Sequence, residues 1–211
     1  MKKKMTQVLK SRWLTRVNCL LLLFVLVSPM AQGQVVALKN NLLYDAVLTP
    51  NLSLEWRLAD RWTMNATVGF NPFPLKDDEW KTADGQLHKW RHVMADLEVR
   101  YWFCSIFMRD FVGLNIGYAH YNVVGGKYPV GWLYKDILTK RRQGDAVMAG
   151  LSYGWSWILS PHWSLELAAG ADAGYTWFEE FECVYCGTSY GKKKQWFVAP
   201  KLDVNIIWQI H

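Results

Sequence analysis

The sequence predicts an all-β fold: an eight-stranded antiparallel transmembrane β-barrel over residues 34–211, preceded by a cleaved signal peptide over residues 1–33. Three observations carry that expectation. Hydrophobicity after residue 33 alternates with a period of two in eight successive segments. The N-terminus has the three-part pattern of an export signal. The connections between segments alternate between short and long, as they do in bacterial outer-membrane barrels.

The first 33 residues hold Lys2, Lys3, Lys4, Lys10, Arg12 and Arg16 and no acid, then an apolar run LLLLFVLV at 20–27, then Ala31-Gln32-Gly33 at the cleavage position. A run of eight is far short of the roughly 20 residues that cross a bilayer as a helix, so the segment reads as a cleaved signal rather than an anchor. Cys19 opens the apolar run instead of following it, which argues against an acylated cysteine. Export places the mature chain, beginning near Gln34, in the outer membrane. The formal charge of +6 comes entirely from this leader, because the rest carries 18 of the 24 bases against all 18 acids. A neutral mature chain offers no electrostatic footprint for nucleic acid.

The strands are expected at residues 36–48, 51–58, 62–70, 92–103, 111–123, 146–159, 163–178 and 196–210. In the seventh, Trp163, Leu165, Leu167, Ala169, Ala171, Ala173 and Tyr175 form one face and Ser164, Glu166, Ala168, Gly170, Asp172 and Gly174 the other. The second sets Leu52, Leu54, Trp56 and Leu58 against Ser53, Glu55 and Arg57. The fourth sets Val93, Ala95, Leu97, Val99 and Tyr101 against Asp96, Glu98 and Arg100. The last sets Leu202, Val204, Ile206, Trp208 and Ile210 against Lys201, Asp203, Asn205 and Gln209. Aromatic residues gather toward strand ends on the apolar face, the arrangement of a lipid-facing wall. From an inner N-terminus, the inner connections 59–61, 104–110 and 160–162 are short. The outer ones, 71–91, 124–145 and 179–195, are long, with only Thr49-Pro50 brief.

The stretches 38–65 (LKNNLLYDAVLTPNLSLEWRLADRWTMN), 96–103 (DLEVRYWF) and 150–167 (GLSYGWSWILSPHWSLEL) resemble a domain-of-unknown-function family of small Bacteroidetes outer-membrane barrels. The LLYDA-x-x-TPN start is the most specific of these motifs. The resemblance covers essentially the whole mature chain and implies an outer-membrane address, with members often encoded beside fimbrial components. It implies no established activity and supplies no catalytic residue.

On the polar face, Lys39, Asp45, Glu55, Arg57, Asp96, Glu98, Arg100, Glu166, Asp172, Lys201 and Asp203 are expected to point inward. Eight strands leave a bore just wide enough for side chains to fill, so these charges read as a lumen network of mutually satisfying ion pairs. A narrow ion or proton path, gated by rearranged pairs, is the alternative reading. Glu55, Arg57, Glu98 and Arg100 are the first residues to test, as two acid and base pairs at spacing two. An outer-membrane acyl hydrolase would need a nucleophile, a base and an orienting group. His88, His92 and His120 sit near the outer rim without a His-x-Ser pairing. Cys183 and Cys186 are a candidate loop disulfide, and no further ligands at motif spacing make them a metal site. Cys104 belongs to an inner turn, at the far end of the barrel, and is expected to stay a free thiol. Lys140, Arg141, Arg142 and Lys192, Lys193, Lys194 fall in outer loops, where clustered cations suit lipid phosphate or a protein partner. The expected whole is a non-catalytic, cofactor-free barrel, with outer-membrane lipid and an envelope or fimbrial protein as partners.

Overall fold

The computed structural model describes residues 35–71, 89–124, 140–181 and 189–210. The signal segment 1–33, His88, Cys183 and Cys186 lie outside the described residues. The strands are β1 (Val36–Asn41), β2 (Asn51–Ala59), β3 (Trp62–Phe70), β4 (Lys89–Trp102), β5 (Arg109–Val124), β6 (Arg141–Ile158), β7 (Trp163–Phe181) and β8 (Ser189–Ile210). Each pairs antiparallel with its chain neighbours, and β8 returns to β1, closing an eight-stranded barrel.

The closure is staggered. Paired residues followed round the ring from Lys39 run through Ser53, Thr67, Asp96, Gly117, Met148 and Gly174 to Phe197 on β8. Lys39 itself pairs with Ile207, ten residues further along β8. Such a stagger requires tilted strands, typically by about 35–45°, so each residue adds roughly 2.5 Å of height along the barrel axis.

One end of the barrel is trimmed by short turns: the Ala59 to Trp62 hairpin, the 103–108 turn and the 159–162 turn. At the other end the wall is uneven. Strands β1, β2 and β3 have 6, 9 and 9 residues, whereas β6, β7 and β8 have 18, 19 and 22. Strands β6 and β8 begin well before the positions 146 and 196 expected from the alternation. The charged and glycine-bearing residues at their outer ends hide a ladder that continues to Arg141 and Ser189.

The first strand also differs from expectation. It stops at Asn41 instead of 48 and gives way to a one-turn helix, α1 (Leu42–Ala46). Asn41 caps it, its Oδ1 accepting from Leu43 N at 3.0 Å. The Asn51 side chain locks the exit, accepting from Asn41 N at 2.7 Å and donating to Asn41 O at 2.9 Å and Asp45 Oδ1 at 3.1 Å. Asp45, expected in the bore, therefore belongs to this cap. Leu48 takes a positive φ of 58° as the chain turns back. The LLYDA-x-x-TPN motif thus encodes a plug of the low side of the wall: Leu42, Leu43, Val47 and Leu48 are exposed, while Tyr44 lines the interior. Above Asn205, β8 has no partner on its β1 side among the described residues, and Pro200 falls in this one-sided stretch, where a strand tolerates proline.

Side chains segregate by parity round the ring. Leu52, Val68, Val93, Leu97, Leu114, Ile116, Leu151, Leu167 and Leu202 are exposed on the outer surface. Aromatic rings bracket this band. Near the short turns Trp62 packs on Tyr101 at 5.1 Å, Tyr101 on Phe103 at 5.5 Å and Trp155 on Trp157 at 6.3 Å. Toward the other end Tyr175 packs on Trp177 at 6.4 Å and on Trp196 at 5.0 Å. Inside, next to the short turns, Ala37, Trp102, Phe107, Phe111, Ala168 and Ile207 form a compact apolar plug. The Phe111 ring reaches over Gly154, where an added Cβ would collide with it and with the Ala168 methyl. Gly154→Ala should therefore lower stability by about 1–3 kcal/mol through overpacking. A urea-unfolding midpoint equal to wild type would contradict that packing.

Candidate functional site: the charged bore

Above the apolar plug the charged inward side chains of five strands meet in a belt centred on Arg100 of β4. Its Nε donates to Glu98 Oε2 at 2.6 Å, and its Nη1 reaches Glu55 Oε2 at 3.1 Å and both Glu166 oxygens at 3.0 Å. Lys39 of β1 donates to Glu166 Oε2 at 2.8 Å and also bridges Glu55. The remaining carboxylate oxygens are met by Thr63 on Glu55, Ser152 on Glu98 at 2.5 Å and Asn205 on Glu166 at 2.8 Å. Lys201 adds a longer contact to Glu98 at 3.4 Å. Every oxygen of the three glutamates has a donor, the condition under which buried ion pairs hold together. The Arg100 guanidinium also stacks 4.4 Å above Phe111, joining belt to plug.

Nine of the eleven residues expected to point into the bore line this interior; Asp45 belongs to the α1 cap, and Arg57 does not join them either. It stands at the inner end of β2, where the pairing slips between Arg57 and Ala59, and its side chain, 40% exposed, bridges Asp60. Its place in the last regular pair, opposite Thr63, leaves it at the rim beside the 59–61 turn, within reach of Asp60. Glu55 pairs instead with Lys39 on the neighbouring β1 and with Arg100 two strands away on β4, contacts that spacing within one strand cannot reveal.

Three aspartates lie above the belt. Lys201 Nζ reaches Asp96 at 3.3 Å. Asn115 Nδ2 is shared between Asp96 Oδ2 and Asp172 Oδ1, each at 3.0 Å, and Asn41 Nδ2 donates to Asp203 at 2.6 Å. Beyond them the bore opens into a cavity of about 390 Å³, with Met94, Met148, Phe178 and Phe197 among its walls. Among the described residues the interior is therefore a cup, closed below by plug and belt and open toward the uneven end. Among the described residues no group of three His, Cys, Asp or Glu side chains is arranged to hold a metal ion.

The two basic clusters expected in outer loops lie instead on or beside strands, and alternation divides them. Lys192 and Lys194 of β8 face outward, Lys192 beside Glu179, and Arg141 of β6 stacks on Phe181 at 4.2 Å. Lys193 and Arg142 turn to the other face, where Glu180 receives Lys193 and Lys140 at 3.0 Å and Arg142 at 3.3 Å. Glu180 went unnoticed in the sequence although its parity matches Glu166 and Asp172. It lies outward of Trp177, beyond the aromatic ring. Burial opposes its ionisation, but the ammoniums of Lys193 and Lys140 outweigh that and hold its carboxyl at about 2. His120 Nδ1 sits 2.9 Å from Asp145, as a base and its orienting group would. The hydroxyl sharing that carboxylate belongs to Tyr118 rather than to a serine. His92 faces Thr49 Oγ1 at 3.2 Å. Cys104, in an inner turn, is a free thiol.

Two predictions follow from this arrangement. Arg100→Met should destabilise the barrel by about 3–5 kcal/mol, because it strands buried carboxylates, whereas Arg57→Met should cost less than about 1 kcal/mol. Equal costs in denaturant unfolding would contradict the placement of the two arginines. Because the Glu180 pKa is depressed in the fold, its contribution is complete above the ordinary carboxylate value of about 4.3 and is lost as pH falls toward about 2. Glu180→Gln should therefore be less stable than wild type at pH 6, with the gap closing between about pH 4.5 and 2. A gap that does not change with pH would show that the three cations do not hold Glu180 ionised.

No curated protein and no solved structure matches the chain. A family model described as "Protein of unknown function (DUF3575)" matches residues 19–210, which contain the whole barrel and every residue of the belt. The chain belongs to this family of unknown function.

Proposed function

We propose that the protein is an outer-membrane β-barrel, exported by the signal at residues 1–33, that acts without catalysis as a surface-exposed binding or structural barrel. The observation that carries this reading is the inverted polarity of the fold. An apolar wall faces outward, Leu151 being 67% and Leu114 59% exposed, while ion pairs and amides occupy the middle of the bore. In water such a surface would be a large aggregation liability; against lipid it is the favourable arrangement. The spacing of the aromatic rings supports it. Trp163 to Tyr175 on β7 spans roughly 30 Å at ordinary strand rise and tilt, close to the thickness of a hydrocarbon core. The short turns suit a periplasmic end and the long connections an outer one.

The basic rim supports a surface role. Lys192, Lys194 and Arg141 face outward near Trp177, at the level where a headgroup boundary falls on this reading, and suit lipid phosphate or an acidic envelope protein. A fimbrial or other assembly partner belongs to the same proposal. The Trp102, Phe107 and Phe111 plug beneath the belt weighs against the pore alternative, because it packs apolar side chains into the bore next to the short turns. The lipid-hydrolase alternative lacks, among the described residues, a nucleophile on the His120–Asp145 pair, whose neighbouring hydroxyl is that of Tyr118.

Leu167→Arg and Leu151→Arg should each cost roughly 2–4 kcal/mol if they lie near mid-bilayer, and should reduce recovery in the outer-membrane fraction. Thr176→Ser, on the inward face, should fractionate as wild type. Recovery of the wild-type protein in the soluble fraction, or equal recovery of all three variants, would overturn the membrane reading.

A further inference from the structure

The outer bore is kept open by the way its large side chains are seated. Met94, Met148, Phe178 and Phe197 line the cavity, and each stands directly opposite a glycine on the neighbouring strand: Gly69, Gly117, Gly144 and Gly174 respectively. A Cβ added at Gly69 or Gly117 would stand 3.2 Å from Met94 Cγ or 3.0 Å from Met148 Cγ, and one at Gly174 would run into the Phe197 ring. These side chains lean across glycine backbone, along the wall, and leave the centre free. Ala119, Ala146 and Ala199 add small residues to the same lining. Larger residues there would bury the apolar wall, yet the fold keeps about 390 Å³ of space. A concave, mainly apolar space of this size with a few polar groups at its ends has the form of a small-molecule site.

Length and charge narrow the ligand. From Asp172 to Phe178 on β7 the cavity wall rises roughly 15 Å, at about 2.5 Å per residue of a tilted strand. Thioether and aromatic side chains along that length suit an extended aliphatic chain. The two ends differ in sign. Belt and floor together hold six carboxylates, those of Glu55, Glu98, Glu166, Asp96, Asp172 and Asp203, with three cations, Lys39, Arg100 and Lys201. At the mouth three cations, Lys140, Arg142 and Lys193, converge on one carboxylate, that of Glu180. Arg142 lines the cavity and stacks on Phe178 at 4.7 Å. Among the described residues the bore is thus acidic below and basic at its mouth, so an anionic group is drawn to the mouth and kept from the floor.

We infer that the outer half of the bore is a binding cup for an anionic amphiphile: an unbranched aliphatic chain seated between Met94, Met148, Phe178 and Phe197, with its anionic head at Arg142 and Lys193. Guanidinium and ammonium donate charge-assisted hydrogen bonds to a carboxylate or a phosphate alike. The inference names a ligand for the binding role proposed above. It needs only the folded barrel, so a failure of the membrane reading in cell fractionation leaves it standing.

The test is NMR of isotope-labelled methionine methyl groups in the purified, folded protein, held in phosphatidylcholine nanodiscs and titrated with decanoate, decyl phosphate, decylammonium and acetate. Met94 and Met148 report the cup. Met64, outward by parity on β3, and Met108, in an inner turn, report partition into lipid or a general change. Decanoate or decyl phosphate should shift Met94 and Met148 saturably, bind at least tenfold more tightly than decylammonium, and leave Met64 and Met108 in place; acetate should shift none of them. The tighter of the two anions tells a free fatty acid from a phosphate-headed lipid. Ala119→Trp, which fills the cup, should weaken binding at least tenfold. The double variant Arg142→Gln/Lys193→Gln should lose the preference for anion over ammonium, with folding checked by circular dichroism. Lys193→Gln alone, at an exposed position, should reduce that preference at least threefold and decides the matter if the other variants do not fold. Equal binding of the anions and decylammonium, shifts at Met64 as large as those at Met94 and Met148, no shift with any probe, undiminished binding in folded Ala119→Trp, or an unchanged preference in the folded charge variants would overturn the proposal.

Discussion

Everything in this molecule depends on closing eight strands into a ring too narrow to hold bulk water throughout. Once β8 pairs with β1 ten residues out of step, every second side chain is committed to a confined interior, and the residues placed there must satisfy one another. The inner end solves this with apolar packing of Trp102, Phe107 and Phe111. The middle solves it with Arg100, which contacts glutamates from β2, β4 and β7 at once and so ties together strands that never pair. An isolated charge at that depth would be prohibitive; a complete set of donors and acceptors makes it tolerable and fixes the strand register, because a one-residue slip would send the whole set to the outer face.

The same stagger explains why the wall is uneven and why the helix α1 exists. With β1 ending at Asn41, the β8 ladder rises alone on that side, and the 42–50 segment fills the low sector with Leu42 and Leu43 outside and Tyr44 inside. The asparagines at 41 and 51 do the stitching. Their mutual bonds replace the strand pairing that would otherwise have continued, so the most specific stretch of the sequence encodes an interruption of the barrel.

Alternation made the fold legible. Strand count, antiparallel order and the inward placement of Glu55, Glu98, Arg100 and Glu166 all follow from period two and short turns. Local spacing could not show who meets whom in the bore: Arg57 and Arg100 look equivalent in sequence, yet Arg57 stands at the rim beside the 59–61 turn and bridges Asp60, while Arg100 reaches the centre. The apolar plug was equally hidden. Ala37, Trp102 and Ile207 share the parity of the polar face, but their apolar character made them look like breaks in a pattern rather than a layer. Lysines 192–194 were misplaced for the related reason that a charged strand end has the composition of a loop.

Structure and proposed role meet in the contrast between wall and bore, and that contrast can be measured directly. Single cysteines carrying spin labels at Leu151, Leu167 and Leu202, and at the inward positions Ser152 and Thr176, can be introduced after the native cysteines are replaced by serine. Relaxation by membrane-dissolved oxygen and by a water-soluble nickel chelate then reports the surroundings of each position. The account predicts strong oxygen and weak nickel effects at the three outward positions, and weak oxygen effects at the two inward ones. Strong nickel effects at Leu151, Leu167 and Leu202 in the folded protein would contradict a lipid-facing wall.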